Sequence, residues 1–359
     1  MLAMQANDQR FEDAKSYLES LPMPEYQTVI ADAEQYDLVI VVITMNRERS
    51  MTEEDRLITY HLGYLTQTTA RLIQIFHSDN SATFQRKKLV VCNVDLQPQR
   101  FTEAQYLSHF AHTVSRYDNI SARRMYDRTM NMFDREKDDY IFCLQTAHKF
   151  AAPYYLIVED DVLLDDNALE TVYFIMKYFD LFSATDWLFL KLYYPDKWLG
   201  YSQNWQTVVE LGGYSVLGGS MFAGALTLIS KRRKWLPDCR HLPVWFLFVV
   251  GAVFTALLCG GIGRQYVESW RKWSLSAYQL VAAPGCCTQA QLYPAHIVSD
   301  LCAHLDRVHS DHDFSVDIAI DGFAHVRGLK RLLIQPNIVK HIGLISNLRR
   351  YSKSAIHFL

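Results

Sequence analysis

Two stretches of this chain carry no charged side chain: residues 211–230, 20 in a row, and residues 242–263, 22 in a row. A helix needs about 20 apolar residues to cross the hydrocarbon core of a bilayer. The second stretch, LPVWFLFVVGAVFTALLCGGIG, is strongly apolar, and the first, LGGYSVLGGSMFAGALTLIS, is rich in Gly, Ser and Ala. Small residues let membrane helices pack closely. Between the two lie Lys231, Arg232, Arg233, Lys234 and Arg240. A basic connector marks the cytoplasmic side, so the pair predicts a transmembrane hairpin whose flanks, 1–208 and 269–359, share the opposite, lumenal side. Trp235, Trp245, Trp270 and Trp273 fall near the span ends, as interfacial aromatics do. The triplet Asn119-Ile120-Ser121 is a glycosylation sequon and agrees with a lumenal face.

The flanks read as one α/β domain. Residues 38–43, LVIVVI, form a buried strand, and Thr52 with Glu54 and Asp55 opens a helix running to about Ile75. A strand over 88–94, a helix over 101–114, a helix over 135–150 and a strand over 187–192 follow. Strands alternating with helices predict a mostly parallel sheet. Beyond the hairpin, a strand over 278–283, a helix over 316–328 and short strand pieces at 332–334 and 338–339 continue the pattern. Residues 300–313, with His304, His309 and His312 among acids, match no zinc spacing and read as a solvated loop. The expected division is a polar N-terminal segment 1–37, a first catalytic part 38–208, the hairpin insert 209–268 and a second catalytic part 269–359. No signal peptide or anchor is apparent in residues 1–35, which are polar and broken by Pro22 and Pro24.

The strongest chemical signal is Tyr154-Tyr155-Leu156-Ile157-Val158-Glu159-Asp160-Asp161, an apolar run that ends in three acids. Ligands of open α/β sheets bind at the carboxyl ends of strands. Three acids there repel one another, and a hard cation such as Mg²⁺ or Mn²⁺, which also holds phosphates, relieves the repulsion. That constellation suits a nucleotide-sugar transferase in which a metal stabilises the departing nucleotide. Asp161 is the candidate for direct coordination, Asp160 for the ribose or a metal-bound water, and Glu159 for orienting the loop. An inverting transfer also needs a base for the acceptor hydroxyl. Asp317, at the start of the 316–328 helix, is the candidate, with Asp321 one turn later as the alternative. His341, in PNIVKHIG, marks a position for a second metal ligand.

The chain contains no GxxxxGK[ST], GxSxG or HExxH pattern, which argues against P-loop kinases, serine hydrolases and zincins. A net charge of -3 gives no nucleic-acid surface. Seven cysteines show no CxxC pattern. In an oxidising lumen they predict one or two bridges involving Cys286 or Cys287, with one cysteine left over.

Five stretches carry a family resemblance: VVITMNR at 41–47, YYLIVEDDVLL at 154–164, the hairpin with its KRRK loop, LVAAPGCCTQAQLYP at 280–294, and QPNIVKHIGLISNL at 335–348. The chain resembles the Golgi GPI-glycan N-acetylgalactosamine transferases, the post-GPI-attachment GalNAc transferases. More distantly it is similar to the N-acetylglucosaminyltransferase IV family that branches N-glycans. The resemblance implies a GT-A-type glycosyltransferase domain interrupted by two transmembrane helices, located in the Golgi membrane with its catalytic domain lumenal. It implies UDP-GalNAc as donor, Mn²⁺ or Mg²⁺ as cofactor, and inverting β1,4 transfer to the first mannose of the GPI anchor on a GPI-anchored protein. By position it places Thr44 and Arg47 near the nucleotide, Glu159, Asp160 and Asp161 in the metal and nucleotide motif, and His341 on the metal side. That family carries an N-terminal transmembrane anchor, from which residues 1–35 depart. Two competing readings are an N-glycan N-acetylglucosaminyltransferase, against which the hairpin argues, and an inert membrane glycan-binding scaffold, against which the acids and His341 argue.

Overall fold

The computed structural model describes residues 2–22, 35–47, 62–78, 83–118, 132–195, 200–201, 205–232, 242–308 and 315–343. The sequon at 119–121 and Thr52, Glu54 and Asp55 lie outside them, as do residues 233–241 of the connector. The chain forms two compact units, one of Met1–Tyr193 with Gln279–Leu359 and one of Tyr194–Tyr278. The expected insert, 209–268, lies inside the second unit.

The first unit opens with α1 (Leu2–Ser20), β1 (Leu38–Thr44), α2 (Tyr64–Ser78), β2 (Lys87–Asn93), α3 (Thr102–Leu107), β3 (His112–Ser115) and α4 (Met132–His148). It continues with β4 (Tyr154–Glu159), β5 (Val162–Leu164), α5 (Ala168–Tyr178) and β6 (Trp187–Lys191). The second unit holds α6 (Trp205–Arg232), α7 (Val244–Ile262) and α8 (Arg264–Glu268). The chain then returns to the first unit as β7 (Gln279–Ala282), β8 (Ala290–Pro294), α9 (Ala295–Arg307), α10 (Val316–Arg327), β9 (Lys330–Gln335) and β10 (Val339–His341).

Eight strands form one sheet in the order β3-β2-β1-β4-β8-β6-β9-β7, and β5 pairs with β10 in a separate ribbon. β1 is a run of aliphatic residues ending in Thr44, nearly all fully buried, and it runs parallel to both β2 and β4. Burial on both faces is what a central parallel strand requires. β8 runs antiparallel between β4 and β6, so the sheet is mostly parallel with reversed strands at β8 and β7. Cys92 of β2 and Cys143 of α4 are joined by a disulfide, which staples the sheet to a covering helix.

In the second unit α6 and α7 pack at close range. A Cβ on Gly218 would fall 2.1 Å from Thr255 Oγ1, and one on Gly251 would fall 2.6 Å from the Phe222 Cβ. Their outward side chains are apolar: Met221, Phe254 and Leu257 are well exposed. Both helices are long and apolar enough to cross a membrane. At one end of the pair, Arg264 sits buried with Glu268 and 2.9 Å from Glu210, and Trp270 donates to the Tyr214 hydroxyl at 2.9 Å.

Several expectations are corrected. Residues 101–114 are not one helix: α3 stops at Leu107 and the chain turns to form the edge strand β3. Much of the expected 300–313 loop is helical, because Ile297, Val298, Leu301, Cys302 and Leu305 give α9 a buried face; His309 and His312 lie outside the described residues. The polar N-terminal segment forms α1, which packs on α2. There the Asn7 amide donates to the Leu62 carbonyl at 3.1 Å, and Arg10 donates to the Gln67 side chain at 3.0 Å. The disulfide found among the described residues is Cys92–Cys143 and not the bridge expected at Cys286 or Cys287.

Candidate active site

β4 brings the acids to the carboxyl edge of the sheet, where Asp160 and Asp161 make a two-residue turn into β5. Thr68 of α2 fixes that turn from below, its hydroxyl lying 2.6 Å from the Asp160 carbonyl and 2.8 Å from the Val162 carbonyl. β5 pairs antiparallel with β10 in a register that sets His341 opposite Val162, and the Ile342 amide donates to the Asp161 carbonyl at 2.8 Å. Backbone pairing therefore carries a histidine from the far end of the chain to the acidic turn.

The side chains converge there. Asp161 Oδ2 lies 3.1 Å from His341 Nε2 and accepts from Arg47 Nη1 at 2.7 Å. Arg47 Nη2 donates to Asp160 Oδ1 at 2.5 Å, and the Thr44 hydroxyl donates to Asp160 Oδ2 at 2.7 Å. The Tyr193 ring stacks on His341 with centroids 6.0 Å apart. Gly343 makes room for this contact: a Cβ there would fall 2.0 Å from Asp161 Oδ2 and 3.1 Å from His341 Nε2. A small, open pocket lies beside Arg47, lined by Met45, Asn46, Tyr64, Phe101 and Asp160.

One guanidinium thus faces three acids. Burial works against the charge of Arg47, but Asp160, Asp161 and Glu159 outweigh it and hold the group protonated. Burial, then repulsion from Asp161, pushes Glu159 up to about 7 against the pull of Arg47 and His341. Asp160 is raised by burial despite Arg47. Carboxylates driven upward by burial and mutual repulsion mark a cluster short of positive charge.

The second part of the site is built from the segment after Gly285. The Cys287 amide donates to Asp317 Oδ2 at 2.9 Å, and the next residue, Thr288, donates to Glu159 at 3.0 Å. The Glu159 amide in turn donates to the Gln289 carbonyl at 2.9 Å. Three consecutive residues therefore link the acid of α10 to the acid of β4. Ser315 and the Ile318 amide complete the holding of Asp317. The alternative acid, Asp321, pairs with Arg331 at 2.8 Å.

Thr44, Arg47, Glu159, Asp160, Asp161 and His341 therefore form one connected cluster, and Asp317 joins it through Cys287 and Thr288. Thr44 faces Asp160 directly. Thr288 and Gly343 belong to the site although neither stood out in the sequence; Gly343 had a signal in its place two residues after His341. A third such residue is Glu136 of α4, whose Oε2 is buried without a partner. Burial first, then Glu159, Asp317 and Asp139, pushes Glu136 up to about 8.

The donor chemistry suits a divalent ion. Carboxylate oxygen and imidazole nitrogen accept Mn²⁺ readily, and the missing Cβ of Gly343 lets Asp161 and His341 approach each other. Among the described residues no three His, Cys, Asp or Glu side chains form a closed cage. Asp161 and His341 would thus hold an ion whose remaining positions are left to phosphate oxygens and water, as Mg²⁺-type sites commonly are.

A sequence profile of the GPI-N-acetylgalactosamine transferase PGAP4 family matches residues 38–340. The chain belongs to this family. The match spans both flanks and the helical insert, so every site residue described above except Ile342 and its neighbours His341 and Gly343 falls inside it. Among solved structures, the chain is similar to a mannosyltransferase from Pyrobaculum calidifontis in complex with GDP-Man and Mn²⁺, at 14% identity and a TM-score of 0.24. That alignment covers 59% of this chain and 47% of the mannosyltransferase, so this chain spans about half of that protein's length.

Proposed function

We propose that this chain is a metal-dependent inverting glycosyltransferase of GT-A type. It moves N-acetylgalactosamine from UDP-GalNAc to the first mannose of the GPI anchor on GPI-anchored proteins, in β1,4 linkage. The observation that carries the reading is the meeting of Asp161 and His341, 3.1 Å apart across 180 positions of sequence, in a chain of this family.

Asp161 and His341 would hold the metal, Mn²⁺ or Mg²⁺, which when bound would neutralise the diphosphate of the donor. Arg47 keeps Asp160 and Asp161 oriented and adds positive charge beside the phosphates. Thr44, Glu159 and Asp160 shape the nucleotide-sugar side. Asp317, with its orientation held by the Cys287 and Ile318 amides, takes the proton from the acceptor hydroxyl. The hydroxyl oxygen then forms its bond to the anomeric carbon as the bond to the UDP oxygen breaks, which inverts that carbon. α6 and α7 cross the Golgi membrane, with the first unit lumenal. The Cys92–Cys143 disulfide supports an oxidising compartment.

A donor panel with Mn²⁺ and a GPI glycan acceptor tests the assignment. UDP-GalNAc turns over, Asp161→Ala and His341→Ala abolish turnover, and Asp317→Asn loses transfer while still binding donor. Full activity in Asp161→Ala removes the metal assignment, and preference for UDP-GlcNAc removes the donor.

A further inference from the structure

The turn Pro284-Gly285-Cys286-Cys287 is tightly held in the first unit. Cys286 has φ 85° and Cys287 has φ 71°, so two consecutive residues with side chains occupy the left-handed region. A single non-glycine residue there is uncommon, and such strain persists only where the surroundings over-determine it. Here they do. Lys191, buried at the end of β6, donates to the carbonyl of Pro284 at 3.2 Å and to that of Cys286. Asp317 accepts the Cys287 amide, and Gln291 donates to the Cys287 carbonyl at 3.0 Å. A Cβ on Gly285 would fall 2.4 Å from Asp321. With the backbone held on all sides, the two thiols turn toward each other, and the Cys287 thiol hydrogen-bonds with that of Cys286.

We infer that Cys286 and Cys287 form a vicinal disulfide, a reversible redox site in the turn that holds Asp317. Lys191 donates to the Cys286 carbonyl, and Cys286, the residue beside that ammonium, supplies the attacking sulfur as its thiolate. That thiolate attacks a small disulfide of the glutathione class, forming a mixed disulfide and releasing one thiolate. Cys287 then gives up its proton and attacks the Cys286 sulfur, expelling the second small thiol. Two protein thiols are oxidised, one external disulfide is reduced, and an eight-membered ring closes. The bond is independent of the reaction proposed above; its effect on turnover rests on that reading, because closure resets the peptide whose amide holds Asp317 and whose carbonyl holds Lys191.

The full-length chain in detergent is incubated with oxidised or reduced glutathione, quenched in acid, alkylated with a maleimide under denaturing conditions and cleaved with chymotrypsin. Cleavage after Leu280 and Leu292 isolates the pair from Cys302. The peptide from oxidised protein carries no label and is lighter by about 2 Da, the loss of two hydrogens; it gains two labels after reduction, while Cys302 is labelled in both samples. Reduced protein retains phenylarsine oxide, a reagent for paired thiols, and oxidised protein does not. Two labels on the oxidised peptide, a stable glutathione adduct, or a bridge from either residue to a distant cysteine overturns the inference. Transfer activity is read in parallel: oxidation changes the rate of the wild type and leaves the rate of the Cys286→Ser/Cys287→Ser variant without response. A closed ring with an unchanged wild-type rate refutes only the coupling to Asp317.

Discussion

Gly343→Ala is the sharpest perturbation of the site, because it adds one methyl group and removes no charge. Gly343 does not use a backbone conformation barred to alanine, so the effect is purely steric. The new Cβ would fall 2.0 Å from Asp161 Oδ2, and ordinary contact near 3.4 Å requires the oxygen to retreat by about 1.4 Å. A carboxylate at the tip of a mobile side chain would yield cheaply. This one accepts from Arg47 at 2.7 Å and faces His341 at 3.1 Å, so retreat breaks at least one charge-assisted bond, at about 1.5–3 kcal/mol. Overpacking adds about 1–3 kcal/mol, for a total of about 2.5–6 kcal/mol. At about 2–4 °C per kcal/mol, the thermal midpoint falls by about 5–24 °C. Under the proposed metal assignment, moving Asp161 also costs about 10–100-fold in metal affinity or activity. The assay is thermal unfolding by circular dichroism together with a Mn²⁺ titration of transfer activity. Gly322→Ala is the control: no atom lies within 4 Å of its Cβ and it sits inside α10, so alanine there is neutral or stabilising by up to about 1 kcal/mol. If Gly343→Ala matches the control in both stability and metal dependence, the packed Asp161–His341 corner is refuted.

Arg47→Ala leaves Asp160 and Asp161, both nearly fully buried, without their guanidinium and costs about 3–5 kcal/mol. Millimolar Mn²⁺ restores part of that loss and EDTA removes the restoration, as followed by thermal unfolding; indifference to Mn²⁺ argues against a cation site. Glu136 is pushed up to about 8 from its ordinary 4.5, so the folded chain holds this proton more tightly than the unfolded chain. The stability it supplies is complete below about 4.5 and is lost as pH rises through about 8, with an upper bound of about 5 kcal/mol. Glu136→Gln therefore flattens the decline in stability between pH 5 and 9 in urea titrations with EDTA, and parallel declines in both proteins reject the assignment. Cys92→Ser/Cys143→Ser lowers stability by about 2–5 kcal/mol without altering donor preference, as measured by urea unfolding and the donor panel.

The parts of the fold written as continuous local patterns were legible. β1, β2, β4 and β6 are uninterrupted apolar runs, and α10 has a 3.6-residue apolar period ended by Gly328 in a left-handed cap. β8 was not legible: Ala290-Gln291-Leu292-Tyr293-Pro294 alternates nothing, and its place between β4 and β6 is decided by two partners far away in sequence. The disulfide was hidden for the same reason. Cys92 lies in a strand and Cys143 on a helix, and only their packing brings them together, whereas the conspicuous pair at 286 and 287 belongs to a tight turn. The acids of β4 announced a site because like charges at a strand end need an explanation. Their partners did not: Thr288 is one hydroxyl in a loop, and its meaning depends on which way Glu159 points.

The position of the helical unit suggests how separable it is from the site. The chain leaves the sheet after β6 and returns at β7, and both strands flank β9. Lys191 is paired with Leu333 on one side of β9, and Gln279 with Gln335 on the other. An offset of two residues along the strand, about 6.6 Å, across two strand spacings, about 9.6 Å, puts these ends about 12 Å apart. Six flexible Gly/Ser residues have a root-mean-square span of about 13 Å, and the retained Leu192 and Tyr193 add to that reach, so such a linker can replace residues 194–278 while keeping Tyr193 on His341. In the shortened chain, turnover of a short soluble GPI glycan remains within about threefold of the full chain. On GPI-anchored protein in vesicles it falls by about 10²-fold or more, because the effective concentration supplied by a shared membrane is lost. Equal losses on the two acceptors reject the idea that the apolar helices serve to bring enzyme and acceptor to one surface, and leave them a purely structural part of the transferase.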